Sequence, residues 1–205
     1  MKVLLFWSSG KDSAWALHRL RETGYSVAAL LTTTTPMRRV PFHDVPVEWV
    51  RRQAVAAGLP LWEVPMPFPL SNPDYERYIL SVLGQARQQG FSAVAFGDLY
   101  LEDIRAYREK LAQAAGMEAL FPAWIGSPDK SLELAQEMLD SGIRAKVVWI
   151  DPQKLPGAAP PIEYTLPWIE SLPEGIDPCG ERGEFHTFCY QAPCFSEPIA
   201  LPGYG

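Results

Sequence analysis

The stretch Val3-Leu4-Leu5-Phe6-Trp7-Ser8-Ser9-Gly10-Lys11-Asp12-Ser13-Ala14-Trp15-Ala16-Leu17 decides the fold. Its apolar run from Val3 to Trp7 predicts a buried strand. Ser8-Ser9-Gly10 predicts a small polar turn, and Trp15, Leu17 and Leu20 begin a helical pattern. A strand that feeds a helix through so short a turn aims the helix's unpaired N–H groups back at the turn. Those amides and the helix dipole favour a bound anion, most often phosphate. Lys11 adds a positive charge at the same place, and Ser8, Ser9 and Ser13 add hydroxyl donors. Lys, Asp and three Ser within six positions exceed what helix capping requires.

Outward from this stretch, strands and helices alternate. Ser26 to Thr33 reads as a second strand, with Thr32-Thr33-Thr34-Thr35 at the carboxyl end where parallel sheets gather ligands. Thr32 is therefore a candidate nucleotide contact. Met37 to Pro46 reads as a loop in which His43 is a candidate substrate contact. Helices are expected over 46–57, 72–89, 102–115 and 127–141, and strands over 61–64, 93–96 and 144–150. The strand at 93–96 runs straight into Gly97-Asp98. This alternation predicts an α/β, Rossmann-like, doubly wound parallel sheet, with the first strand's loop at the topological switch point. The segment from Pro152 to Pro173 is too rich in Pro for a central strand or a long helix. It reads as a wrapping segment that leads to the last block, Gly175 to Phe195.

Composition narrows the possible partners. The 205 residues are 47% hydrophobic and 20% charged, enough for a sizeable core. A formal net charge of -6 argues against general binding to nucleic-acid backbones. No apolar run approaches the roughly 18 residues of a membrane span, and no small-residue cleavage site follows the N-terminus. A cytoplasmic location is the expectation, and the odd count of three Cys agrees with a reducing compartment. Cys179, Cys189 and Cys194 surround His186 but contain no Cys-x-x-Cys pair, so they read as thiols rather than as a zinc site.

A second dense stretch is Gly180-Glu181-Arg182-Gly183-Glu184-Phe185-His186-Thr187. Two carboxylates stand either side of Arg182-Gly183. Phe185, Phe188 and Tyr190 then suggest an extended strand.

The first stretch is not a Walker A loop, because Asp12 follows the Lys where that motif needs Ser or Thr, and Leu5 stands where it needs Gly. It resembles the pyrophosphate (PP) loop of the N-type ATP pyrophosphatases, in the adenine nucleotide alpha hydrolase-like (HUP) superfamily. These enzymes cut ATP between the α and β phosphates. Their usual pattern is Ser-Gly-Gly-x-Asp-Ser, and Ser9 departs from it. If that position takes φ > 0, a Ser there costs ~1–2 kcal/mol. Together with Gly97-Asp98, Arg105 and the Gly-Glu-x-Gly-Glu-Phe-His-Thr block, the chain resembles the diphthine–ammonia ligase family over nearly its whole length.

The resemblance implies an ATP-binding PP-loop domain over residues 1–120 and a substrate-binding C-terminal domain over 121–205. It implies that ATP adenylates a carboxylate and that ammonia displaces AMP, leaving an amide and pyrophosphate. In the family the acceptor is diphthine on elongation factor 2; in this chain the carboxylate acceptor, on a protein or free, stays open. Ser8, Ser9, Gly10, Lys11 and Ser13 are then expected to hold phosphates. Asp12 is expected to hold Lys11, cap the helix or reach Mg²⁺. Gly97 and Asp98 are expected at the nucleotide, with Asp98 as a second Mg²⁺ or ribose ligand. Arg105 is a candidate for the acceptor carboxylate or a phosphate. Glu181, Glu184 and His186 are candidates to bind ammonium or take its proton. Free ammonia, rather than glutamine, is the expected nitrogen source, and a homo-oligomer is possible. Two other readings stand beside this one: an ATP-binding regulatory module, and an RNA-thiolating enzyme of the same superfamily. The second would need a catalytic Cys pair or a sulfur carrier, together with a basic surface.

Overall fold

Val3, Leu4 and Leu5 are completely buried because their strand, β1 (Lys2–Phe6), lies in the middle of a five-stranded sheet. The computed structural model describes residues 1–67 and 69–201. From β1 the chain runs through α1 (Lys11–Glu22) to β2 (Ser26–Thr34). A short hairpin, β3 (Arg39–Val40) and β4 (Val45–Pro46), leads into α2 (Val47–Ala57) and β5 (Leu61–Pro65). The chain then returns through α3 (Asn72–Gln88) to β6 (Ala93–Ala95), and through α4 (Glu102–Ala114) to β7 (Glu118–Leu120). The order across the sheet is β5-β2-β1-β6-β7, parallel throughout. This is the doubly wound sheet expected from the alternation. Its direction of growth reverses between β1 and β6, which is where such sheets bind ligands.

The period of two along β1 explains the two layers. Val3 and Leu5 face a core that contains Ala14 and Leu17 of α1 and Val50 and Ala54 of α2. Leu4 faces the other way, onto Ile79 and Leu83 of α3 and Leu111 of α4. Local signals set the helix ends. Ser71 accepts the Asp74 N–H ahead of α3, with Pro73 in its first turn, and Gly58 closes α2 in the left-handed conformation. α1 differs: its N-cap is Gly10, which makes no side-chain capping bond.

The rest of the chain forms α5 (Ser131–Asp140), β8 (Arg144–Ile150), β9 (Ile162–Glu163), α6 (Leu166–Glu170) and β10 (Phe185–Gln191). β8 does not extend the parallel sheet. It is the centre of a separate antiparallel sheet of order β10-β8-β9. The Pro-rich segment after it carries only the five-residue α6 and no long crossover helix, so β9 and β10 return to β8 antiparallel. The antiparallel sheet packs on the α1 side of the parallel one, with Ala145, Val147, Phe185 and Phe188 in the same core as Val3 and Leu5. Residues 37–46, read from sequence as loop, contain the β3–β4 hairpin. β7 (Glu118–Leu120) is a strand beyond those expected from sequence. Among the described residues no helix is long and apolar enough to cross a membrane.

Candidate functional site

A cleft of about 740 Å³ opens at the carboxyl ends of β1, β2 and β6, and residues 179–181 and 185–187 of the C-terminal part line its other side. The loop at its floor is tightly seated. A Cβ on Gly97 would lie 3.2 Å from the backbone of Asp12 and Ser13, so β6 can approach the loop only with Gly there. A Cβ on Gly10 would meet His43 at 3.1 Å and Thr187 at 3.2 Å. These contacts explain both glycines by close packing.

Ser9 takes φ 74, the left-handed conformation that favours Gly. Its hydroxyl is buried without a hydrogen-bond partner, and its carbonyl is gripped twice. Cys189 N–H of β10 and Gln53 Nε2 of α2 each donate to Ser9 O at 2.9 Å. Gln53 is itself buried. It accepts from Trp7 Nε1 at 2.8 Å and donates to Cys189 O at 2.6 Å. Ser8 and Ser13 close the turn, Oγ to Oγ at 2.8 Å, with Ser8 N–H donating to Ser13 Oγ at 3.0 Å.

Lys11 is 1% exposed. Its ammonium donates to both Asp12 oxygens, at 2.9 and 3.1 Å, and to the Cys179 carbonyl at 2.5 Å. Burial opposes the charge, but Asp12 and the other anionic neighbours outweigh it and hold the Lys11 pKa above its usual value. Asp12 thus holds Lys11. The Lys11 N–H is taken by Thr187 Oγ1 at 3.1 Å, so β10 covers part of the helix start.

On the opposite bank, Asp98 follows β6 and lies 3.6 Å from Arg108 Nε of α4. Both Asp98 Oδ2 and Arg108 Nε are buried without a hydrogen-bond partner, as is Thr32 Oγ1 at the end of β2. Burial pushes the Asp98 carboxyl up, and Arg108 offsets part of that. Glu181 reaches the same segment: its Oε1 accepts from Leu99 N–H at 2.8 Å. Burial pushes its pKa up to about 8; the Leu99 bond opposes the rise, and Asp12 and Asp98 add to it.

Four expected site residues, Ser9, Gly10, Arg105 and Glu184, do not line the cleft. Arg105 does not line the cleft; it pairs with Glu109 at 2.9 Å and lies over Trp124 and Phe121, 4.8 and 5.1 Å from their ring centres. Glu184 does not line it either. Its 2% exposed carboxylate accepts from Asp177 N–H at 3.3 Å, while Asp177 accepts from Tyr100 Oη and Ser131 Oγ. The two glutamates therefore do not share the cleft: residues 182–183 turn one into it and the other into the interior. His186 does line the cleft, stacked on His43 at 4.6 Å, and the His43 Nδ1–Thr187 O distance is 3.0 Å. Burial lowers the two pKa values to about 4 for His186 and about 3 for His43, so both rings are neutral.

Sequence alone gives Arg108 and Gln53 no part in the site, and Thr187 only a place at the end of the Gly-Glu block. Gln53 carries no local signal, since a lone Gln on a helix reads as a surface residue. Arg108 stands three positions after Arg105 on the same helix, and only the packing of α4 distinguishes the two. Cys179, Cys189 and Cys194 are all buried and unpaired by disulfide.

Comparison with known proteins adds to this geometry. Residues 1–119 match the family model of the diphthamide synthase N-terminal domain. The chain is 22% identical to the diphthine–ammonia ligase of Bos taurus over 98% of its own length and 83% of that protein. It is 21% identical to the diphthine–ammonia ligase of Homo sapiens, with the same coverage of both chains. Among solved structures, a predicted subunit of tRNA methyltransferase from Methanocaldococcus jannaschii superposes with a TM-score of 0.45 at 15% identity, covering 72% of this chain and 80% of that one.

Proposed function

The chain belongs to the diphthamide synthase family, and from that premise we propose that it is an ATP-dependent ligase that turns a carboxylate into an amide with ammonia, releasing AMP and pyrophosphate. The observation that carries the reading is Glu181. It stands across one cleft from the phosphate loop, tied to the Leu99 N–H, with a pKa of about 8. A base with that pKa exchanges protons readily near neutral pH.

In this reading residues 1–120 bind ATP, and residues 121–205 bring Glu181 to it. The triphosphate lies on the Ser8–Ser13 loop, where the uncapped start of α1 and the two linked hydroxyls offer donors beside the Lys11 charge. The open Thr32 hydroxyl faces the nucleoside. An acceptor carboxylate oxygen attacks the α-phosphorus, and the bond to pyrophosphate breaks. Ammonia then attacks the acyl carbon, the bond to the AMP oxygen breaks, and the surplus proton on nitrogen passes to Glu181. Glu184 anchors the Asp177–Gly183 turn and so positions Glu181, without touching the reactants.

Mg²⁺ fits as ATP's companion. The Asp12 and Asp98 carboxylates line the same cleft, Asp98 with its Oδ2 turned to Arg108 Nε at 3.6 Å. Among the described residues no group of three or more His, Cys, Asp or Glu could hold a metal unaided. The ion would take its remaining ligands from phosphate and water, as Mg²⁺ commonly does, and would neutralise charge on the phosphates.

The thiols weigh against an RNA-thiolating activity. Burial pushes Cys179 up to about 12 and Cys194 up to about 11, far from thiolate at neutral pH. Diphthine, the acceptor in both relatives' names, is the first to offer. The test is to incubate the chain with diphthine-bearing elongation factor 2, ATP, Mg²⁺ and ammonium chloride, then follow amide by mass spectrometry and AMP by chromatography. Amide formed in step with AMP supports the reading. ADP as product, or full activity with glutamine in place of ammonium, refutes it. ATP bound without any turnover would instead support a regulatory module.

A further inference from the structure

Two consecutive residues after β6 hold the groups a ligase needs on one segment. Asp98 faces Arg108 Nε at 3.6 Å, and Leu99 N–H binds Glu181 at 2.8 Å. Among the described residues lining the cleft, the Lys and Arg side chains are Lys11 and Arg108. Lys11 is already engaged by Asp12 and the Cys179 carbonyl. Arg108 is far less so. Its Nε is buried with no hydrogen-bond partner, and its Nη1 reaches Tyr75 Oη only at 3.5 Å. The guanidinium lies over Phe96 at 5.0 Å and Phe6 at 5.7 Å, which fixes its position while leaving N–H groups to spare. Tyr75, Tyr107 and Ile104 continue an apolar wall beside it.

We propose that Arg108 binds the carboxylate of the acceptor, that Asp98 is the positioning residue that holds its guanidinium, and that the aromatic wall takes the flat or apolar stem behind that carboxylate. This deepens the ligase reading above and rests on it. A carboxylate that is to attack phosphorus must leave water behind, and in a buried cleft it needs a cation in exchange. A guanidinium with unmet donors supplies that cation and two-point geometry. The ligand in turn satisfies an N–H that is costly to leave unpaired. Glu181, held by the N–H of Leu99 one residue along that segment, then stands beside the carbonyl carbon that ammonia attacks. Arg105, the arginine that the sequence favoured for this task, lies outside the cleft.

The test uses the full chain with Arg108→Ala, Arg108→Lys and Arg105→Ala, each checked by thermal melting. Benzoate is the probe for an aromatic carboxylate, followed by saturation-transfer NMR. ATP affinity is measured by calorimetry, and amide formation with diphthine-bearing elongation factor 2. The expected result for Arg108→Ala is loss of the benzoate signal and a KM for the acceptor raised about 10- to 100-fold, the size of one charge-assisted hydrogen bond. ATP affinity is expected to stay unchanged. Arg108→Lys keeps the charge without the fork and should fall between, which separates binding from folding. Benzoate bound equally by Arg108→Ala, no benzoate binding by the unaltered chain, loss of ATP affinity with an unchanged acceptor KM, or an effect at Arg105 with none at Arg108 would each overturn the proposal. If the unaltered chain makes no amide, the ligase reading fails, while the benzoate comparison still decides whether Arg108 binds a carboxylate.

Discussion

Ser9→Gly should stabilise this protein, and the structure says by how much. Ser9 sits at φ 74 with a buried hydroxyl that has no partner. The left-handed backbone costs a non-Gly residue ~1–2 kcal/mol. Gly removes that strain but adds freedom to the unfolded chain, worth about 0.5–1 kcal/mol the other way. The difference is a gain of roughly 0.5–1 kcal/mol from the backbone alone. Removing the unpaired hydroxyl adds about 1 kcal/mol, the lower end of the cost of a buried unsatisfied group. Ser9→Gly should therefore gain about 1.5–2 kcal/mol, and Ser9→Ala, which keeps the strain, about 1 kcal/mol. Urea unfolding followed by tryptophan fluorescence would measure both, and thermal melting should show a rise of about 3–8 °C for Ser9→Gly in a chain of this size. A Gly variant about 0.5–1 kcal/mol less stable than the Ala variant would mean that φ at Ser9 carries no strain. A loss of stability in Ser9→Ala would mean that the hydroxyl has a partner. The grip on the Ser9 carbonyl by Gln53 and Cys189 is backbone-directed and survives either change, so ATP affinity measured by calorimetry should not fall.

The other expectations follow from charge and burial. Glu181→Gln should leave ATP binding intact and stop amide formation; in the unaltered chain the rate should rise with pH through about 8 as Glu181, faced by Asp12, Asp98 and Lys11, loses its proton. The same pKa has a stability consequence: folded Glu181 keeps a proton that the unfolded chain releases above 4.5, so stability should fall from pH 4.5 to about 8, and chemical denaturation of Glu181→Gln should show a shallower fall. Lys11→Ala should weaken ATP binding in a calorimetric titration, yet the fold would not be indifferent. Lys11 is buried and holds Asp12 and the Cys179 carbonyl, so losing it should cost about 2 kcal/mol or more in urea unfolding.

What the sequence determined by itself is local. The strand, turn and helix from Val3 to Leu17, the alternation that follows, and the Pro-rich break after Ile150 are properties of neighbouring residues, and periodicity and turn chemistry report them directly. The strain at Ser9 was only conditional in sequence, resting on a resemblance to a pattern with Gly at that place; the structure supplies the φ of 74 that makes it real. Tertiary packing decided which polar groups share the cleft. Glu181 and Glu184 look equivalent in sequence, and so do Arg105 and Arg108 on one helix. Only the partners brought from distant segments separate them: Leu99 N–H for Glu181, Asp177 for Glu184, Asp98 for Arg108 and Trp124 for Arg105. The same holds for Gln53, a helix residue that becomes the buried link between the phosphate loop and β10. A hydrogen bond or an ion pair depends on distance in space, and for residues tens of positions apart that distance is fixed by the assembled core and by nothing the local sequence encodes.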